Sequence, residues 1–290
     1  MTARAIFVGC AHRPEGNGDD DAAVRALADI GVATRWAVWD DPAEDVASAD
    51  VVILRATWDY PLRRDEFLAW CASVPRLRNP FAAVRWNTDK SYLLDLERAG
   101  VPIVPTRLVH PGTVPEWPEG EFVLKPAVGA GSVGAARFAA GEHERAAEHL
   151  RSLHDRRRTA LLQPYQAAVD SEGETALVFF GGQYSHAFTK GPMLTGAGLD
   201  GSGLYVAEKR GTTTPSVAWR ALAEDTLDAA AAHLGLRRGD LLYARVDVVR
   251  TDAGTPALLE LEVTEPSLGF GQADEAAALR FASAVRGVLA

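Results

Sequence analysis

The sequence predicts an α/β half followed by an α+β half. Three observations carry that reading. Up to Gly100, short apolar runs alternate with stretches of helical periodicity. Residues 102–118 are rich in proline and polar side chains. Beyond them, apolar runs meet across tight glycine turns. Strand–helix–strand alternation builds a parallel sheet with helices on its faces. Strands joined by hairpins are antiparallel neighbours.

The elements follow in order. Ile6-Phe7-Val8 is the first strand. Asp19, Asp20 and Asp21 offer an N-cap, Val24, Leu27 and Ala28 follow at helical spacing, and Gly31 closes that helix. Val51-Val52-Ile53-Leu54 is a buried strand, and Asp65 opens a helix carrying Phe67, Leu68, Cys71 and Val74. Thr88 can cap a helix through Arg98, which Gly100 and Pro102 stop. Phe122-Val123-Leu124 is a strand, Gly129 to Gly134 a glycine loop, and Ala135 to Phe138 a returning strand. A helix over 142–156 and the strand Leu161-Leu162 come next. Thr175–Phe180 and Gln183–Thr189 flank Gly181-Gly182, a hairpin signal. An Ala-rich helix runs from Ser216 to His233, a second hairpin pairs Leu242–Arg250 with Ala257–Val263, and a helix over 273–289 closes the chain. The expected divisions are 1–86, 87–165 and 166–290.

Composition narrows the function classes. Lys and Arg number 30 against 39 Asp and Glu, a net charge of −9 over 290 residues. That balance carries no general footprint for nucleic acid. No apolar run approaches the roughly 20 residues of a membrane span. The run Ile6–Val8 is too short for a signal peptide, so cytoplasm is the expected compartment. Two cysteines make neither a disulfide framework nor a zinc site, and the histidines form no HExxH pattern.

Chemistry concentrates in the last hairpin. Arg245 and Asp247 alternate with apolar residues and share one strand face, as do Glu260 and Glu262. With a turn over 251–256, Asp247 lies opposite Glu260 and Arg245 opposite Glu262. Facing carboxylates repel. They read either as a solvated polar face or as a site for Mg²⁺ or Mn²⁺ shared with phosphates. Lys125 ends a strand before Gly129, Gly131, Ser132 and Gly134. That loop is either a mobile surface hairpin or a flap whose N–H groups approach phosphate. Lys90 near a helix start opposes the helix dipole, which suggests a task other than stability, against the alternative of a surface lysine. Gln163-Pro164-Tyr165 leaves a strand at a hinge, and Glu172 and Glu174 follow in an acidic loop.

In this order the pieces resemble an ATP-grasp ligase with an N-terminal Rossmann-like domain before the ATP-grasp unit. Ala244-Arg245-Val246-Asp247 resembles the Arg-x-Asp strand of D-alanine–D-alanine ligases. Glu260-Leu261-Glu262-Val263-Thr264-Glu265-Pro266 resembles the metal strand of bacterial glutathione synthetases, with Glu262 where the superfamily usually has Asn. Arg55-Ala56-Thr57-Trp58-Asp59-Tyr60, Asn79-Pro80, Arg85-Trp86-Asn87-Thr88-Asp89-Lys90, Glu172-Gly173-Glu174-Thr175 and Glu265-Pro266-Ser267 are similar to the O-ureido-D-serine cyclo-ligase group of cycloserine biosynthesis.

The resemblance implies roles. Lys90 and Lys125 hold ATP phosphates together with Gly129, Gly131, Ser132 and Gly134. Gln163, Pro164 and Tyr165 border adenine, and Glu174 reaches ribose. Asp247, Glu260 and Glu262 hold Mg²⁺, and Arg245 stabilises the transferring phosphoryl group and the oxyanion. Arg55, Trp58, Asp59 and Tyr60 follow a strand of the first sheet, where open α/β sheets place ligands, and Asp59 is the candidate for a substrate α-amine. Lys190, Lys209 and Arg210 flank a second glycine-rich stretch over 196–203, which reads as a lid or as a surface loop, and are candidates for a substrate carboxylate. The implied partner is a small amino-acid-like substrate, and a homodimer is the family-level expectation. Two other readings stand beside the cyclo-ligase: an intermolecular amino-acid or peptide ligase, and a catalytically silent nucleotide-binding module.

Overall fold

The computed structural model describes residues 2–194, 199–206 and 208–289. Strands β1 (Ala3–Gly9), β2 (Val32–Val38), β3 (Val51–Ala56) and β4 (Leu77–Arg78) form a parallel sheet in the order β2-β1-β3-β4. Helices α1 (Asp21–Asp29) and α2 (Arg64–Ser73) complete this body. Every residue of β3 is buried. A strand covered on both faces reads as a continuous apolar run, which is why β3 was legible. β2 was not anticipated: its exposed Ala33 and Arg35 mark an edge strand. Asp20 precedes α1 but its side chain makes no capping bond. Gly31 turns the chain back at φ +80°, a region that strains any residue with a Cβ.

The helix expected from Thr88 starts later, as α4 (Tyr92–Arg98), and an unexpected helix, α3 (Phe81–Asn87), precedes it. Thr88 ends α3, and Lys90 lies in the turn between them. Its backbone N–H donates to Ala127 O across 2.8 Å. Lys90 is therefore positioned by the neighbouring sheet and not by the first turn of a helix.

A small antiparallel sheet follows, built from β5 (Arg107–Val109), β6 (Phe122–Pro126), β7 (Ala136–Phe138) and β8 (Ala160–Pro164) in the order β5-β8-β6-β7. Helix α5 (His143–His154) packs Ala146, Leu150 and Leu153 on Phe122, Leu124 and Phe138, giving this sheet a core of its own.

After the short α6 (Ala168–Glu172), strands β9 (Glu174–Phe180), β10 (Gln183–Lys190), β11 (Arg210–Thr212), β12 (Tyr243–Arg250) and β13 (Pro256–Glu262) form an antiparallel sheet in the order β11-β10-β9-β12-β13. Helices α7 (Val217–Leu234) and α8 (Ala277–Leu289) accompany it. Ser216 caps α7 by accepting from the Trp219 N–H, and Gly235 ends it in the left-handed region. In the last hairpin Asp247 pairs with Glu260 and Arg245 with Glu262, the register the alternation predicts. Phe281 on α8 meets Phe7 of the first sheet and Phe180 of the third, so those two sheets share one core. Among the described residues no helix is long and apolar enough to cross a membrane.

Candidate active site

A cleft opens where the three sheets converge. Its lining includes the glycine loop, the ends of β6 and β8, and the facing side chains of β10, β12 and β13. On β6, alternation turns Lys125 toward the cleft while Phe122 and Leu124 face the small core. Among the described residues no carboxylate lies within ion-pairing distance of Lys125. Burial pushes its amine below the ordinary lysine range; Glu260 opposes this, and Lys90 and Lys190 add to it. A half-buried ammonium without a partner is unfavourable until an anion arrives. Lys90 reaches the same region, donating to Gly129 O at 2.6 Å and pairing with Glu260 at 3.1 Å.

The floor is a chain of buried charges. Asp247, with no solvent exposure, accepts from Arg245 through both oxygens, Nε to Oδ1 and Nη2 to Oδ2, each at 2.9 Å. Lys190 Nζ donates to Asp247 at 2.6 Å and pairs with Glu174 at 2.7 Å. Arg245 also bonds Glu262 at 2.8 Å and Ser267 O at 3.1 Å. Burial would raise the Asp247 carboxyl, yet Arg245 and Lys190 hold it down at about 2. Burial pushes Glu262 up to about 7; Arg245 pulls against this, and Glu260 and Asp247 reinforce it. Glu260 lies below its ordinary value, because Lys90 and Lys125 outweigh its burial.

The other residues expected to hold the cofactor border the same space, with one exception. Gln163, Pro164 and Tyr165 line it, with the Gln163 amide donating to Thr106 Oγ1 at 2.8 Å. Gly129, Gly131 and Ser132 line it too, whereas Gly134 turns the loop back toward β7 and does not. At Gly131 a Cβ would sit 2.4 Å from Tyr205 Cβ and 2.6 Å from Leu204 O, so only glycine admits this approach. Val206 N–H donates to Gly131 O at 3.0 Å, docking the segment 199–206 on the glycine loop. Part of the stretch 196–203 lies outside the described residues.

The expected substrate residues divide. Trp58, Tyr60, Lys190 and Arg210 line the cleft. Lys190 is spent on Asp247 and Glu174, and Arg210 on Asp19 and Glu208, at 3.1 and 3.0 Å. The structure does not bring Arg55, Asp59 or Lys209 to the cleft. Arg55 is buried against Asp20 and Pro266 O, joining the first sheet to the chain after β13. Asp59 accepts from Trp39 Nε1 and Arg63. Lys209 is exposed. The facing carboxylates also differ from the expected trio, since Asp247 is wholly engaged by cations. Among the described residues no group of three His, Cys, Asp or Glu is arranged to hold a metal.

The family profile described as "D-cycloserine synthetase DcsG, N-terminal domain" matches residues 5–81. The cycloserine biosynthesis protein DcsG of Streptomyces lavendulae is 38% identical over 275 residues, covering 90% of this chain and 91% of that protein. This chain belongs to the DcsG family. The crystal structure of D-cycloserine synthetase DcsG superposes with a TM-score of 0.88 at 35% identity, covering 99% of this chain and 100% of that one. D-alanine–D-alanine ligase from Bacillus anthracis complexed with ATP superposes with a TM-score of 0.65 at 12% identity, covering 99% and 97%. The fold is ATP-grasp, and membership in the DcsG family makes the chain an ATP-dependent ligase.

Three features in or beside this DcsG-family cleft have roles that the sequence does not show. Asn79 and Asn87 bond the backbone around β13, Asp19 accepts from the Leu268 and Gly269 N–H groups, and Glu265 lines the cleft without a side-chain partner among the described residues. A buried asparagine against a strand edge carries no periodic signal. Glu265 was visible only inside a motif, with nothing to distinguish it from its neighbours.

Proposed function

We propose that this protein cyclises O-ureido-D-serine to D-cycloserine at the expense of ATP. The observation that carries the reading is the meeting of an unpaired Lys125 with Arg245, oriented by Asp247 and Glu262, in one cleft. The substrate is suggested by kinship to a protein named for cycloserine biosynthesis.

The donor set fits Mg²⁺-ATP. Lys90, Lys125 and the glycine loop form a phosphate cradle. Glu260 and Glu262 each use one oxygen on a cation and keep the other, and two carboxylates with substrate phosphates are a common Mg²⁺ environment. Bound there, Mg²⁺ would neutralise charge on the transferring phosphoryl group. Asp247 serves this arrangement by holding Arg245 and Lys190.

The substrate α-carboxylate attacks the γ-phosphorus in line, and ADP leaves. Lys90, Lys125 and loop N–H groups balance the charge, since phosphoryl transfer depends mainly on positioning and electrostatics. The oxygen-bound ureido nitrogen then attacks the acyl phosphate. The C–N bond forms, the C–O bond to phosphate breaks, and Arg245 stabilises the oxyanion between these events. Water removes the carbamoyl group from the ring nitrogen as carbon dioxide and ammonia. Tethering nucleophile to electrophile replaces an encounter, with effective molarities of about 10⁵–10⁸ M for well-oriented pairs.

The test is incubation with ATP, Mg²⁺ and O-ureido-D-serine alone, following ADP and product mass. Ring product without added amine is the expected result. ADP release that requires a second amino acid would move the protein to the peptide-ligase reading, and no release with any amino acid to the silent binding module.

A further inference from the structure

Every other glutamate lining the cleft is ion-paired: Glu174 with Lys190, Glu208 with Arg210, Glu260 with Lys90 and Glu262 with Arg245. Glu265 is not. It is 9% exposed, lines the cleft, and has no hydrogen-bond or ion-pair partner for its carboxyl among the described residues. Its backbone is fixed, because Trp58 Nε1 donates to Glu265 O at 3.1 Å. That contact joins the chain after β13 to the loop after β3. Trp58 and Tyr60 line the cleft from that loop. Burial pushes the Glu265 carboxyl up to about 8; Glu262 and Glu260 add to this, and Lys90 and Arg245 oppose it.

A carboxyl on a nine-tenths buried residue that bonds nothing among the described residues has no stabilising task there. The neighbouring cations are committed: Lys90 to Glu260 and Gly129 O, and Arg245 to Asp247 and Glu262. The missing partner must come from outside. Its place, at the carboxyl end of a parallel strand of the first sheet, is where open α/β folds receive small ligands. Aromatic rings beside a carboxyl also favour a cation.

We propose that Glu265, flanked by Trp58 and Tyr60, receives the α-ammonium of an amino-acid substrate. The substrate then lies with its ammonium toward the first sheet and its carboxylate toward Arg245 and the phosphate cradle. This assignment rests on the ligase reading above and adds the orientation of the substrate. It also explains why a chain with so many cleft carboxylates keeps one without a cation.

The experiment compares O-ureido-D-serine with its analogue lacking the amino group, using wild type and Glu265→Gln. Binding is measured by calorimetry in the presence of Mg²⁺ and a non-hydrolysable ATP analogue. ADP release is measured separately. The wild type is expected to bind the amino compound roughly 10- to 100-fold more tightly than the analogue, the range for a charge-assisted bond. Glu265→Gln should bind the two about equally, with unchanged affinity for the ATP analogue as the control for folding. Discrimination retained in Glu265→Gln, no discrimination by the wild type, or no binding of the amino compound would overturn the assignment. So would a variant whose Mg²⁺ requirement shifts while discrimination stays, since Glu265 would then belong to the metal site. Intact discrimination without ADP release would sink the proposed reaction and leave the ammonium subsite standing.

Discussion

Glu262 and Glu265 bind their protons more tightly folded than unfolded, at about 7 and 8 against an ordinary value of 4.5. Between pH 5 and 8 the folded protein therefore holds protons that the unfolded chain has released, and stability falls as pH rises. Each such proton contributes a slope of up to about 1.4 kcal/mol per pH unit. The ligand-free protein should melt at a lower temperature at pH 8 than at pH 6, and Glu265→Gln should flatten that dependence in a pH series of thermal melts. Asp247 acts in the opposite sense: its carboxyl is held at about 2, so its contribution is present at neutral pH and is lost in acid. Lys125 offers a cleaner separation of stability from function. Lys125→Ala should weaken the ATP analogue roughly 10- to 100-fold by calorimetry, the range for a lost charge-assisted contact. Its melting temperature should hold or rise, because a half-buried charge without a partner among the described residues is removed. Of these residues the sequence revealed Arg245, Asp247, Glu260 and Glu262, because alternation along two paired strands assigns them to a common face, and Lys125, because it ends a strand before the glycine loop. It could not reveal that Lys190 sits between Asp247 and Glu174, since those partners are far apart in the chain and Lys190 has no pattern of its own.

At the scale of elements, β13 poses a problem that the chain solves with side chains. It is the last strand of its sheet, so its outer N–H and C=O groups have no ladder partner. Pro102 O accepts from Leu258 N–H and Leu258 O from Val104 N–H, covering one end. At the end that lines the cleft, Tyr92 OH accepts from Leu261 N–H, and Asn87 donates to Leu261 O at 2.7 Å and accepts from Val263 N–H at 2.8 Å. Asn79 bonds Leu242 N–H, Tyr243 O and Val263 O in the same way. Asn87→Ala leaves buried backbone groups unsatisfied, at about 1–3 kcal/mol each. We expect a loss of about 2–4 kcal/mol in urea unfolding, with kcat falling as well because Glu260 and Glu262 flank Leu261. The register of this hairpin was legible in advance. The asparagines were not, and neither were α3 and the late start of α4: the helix expected from Thr88 is delayed because the Lys90 N–H is claimed by Ala127 O, just beyond β6. Local patterns fix strand faces and helix stripes, and distant carbonyls decide where the helices stop.

At the scale of the molecule, the three sheets are not equally bound together. The first and third share a core centred on Phe281, whose ring lies 6.1 Å from Phe7, 5.2 Å from Phe180 and 6.0 Å from Phe270. The second sheet keeps its small core under α5, and it meets the cleft through Lys125, the glycine loop and strand β8. Arg13 pairs with Asp200, and Val206 with Gly131, so the segment 199–206 links the first body to the glycine loop. Stability should divide along these lines, because a unit opens alone when few buried contacts hold it. Phe281→Ala should lower the stability of the first and third sheets together, by about 3–5 kcal/mol for a lost core phenylalanine. Native-state hydrogen exchange reads the division directly. Amides of β6 and β8 should exchange through a lower-energy opening than those of β9 and β12, and Phe281→Ala should shift the latter while sparing the former. An ATP analogue with Mg²⁺ should protect β6, β8 and the glycine loop most, since the phosphate contacts proposed there would tie the small sheet to the other two. Uniform protection across all three sheets would mean that the small sheet opens only with the whole molecule, and that nucleotide entry does not require it to move.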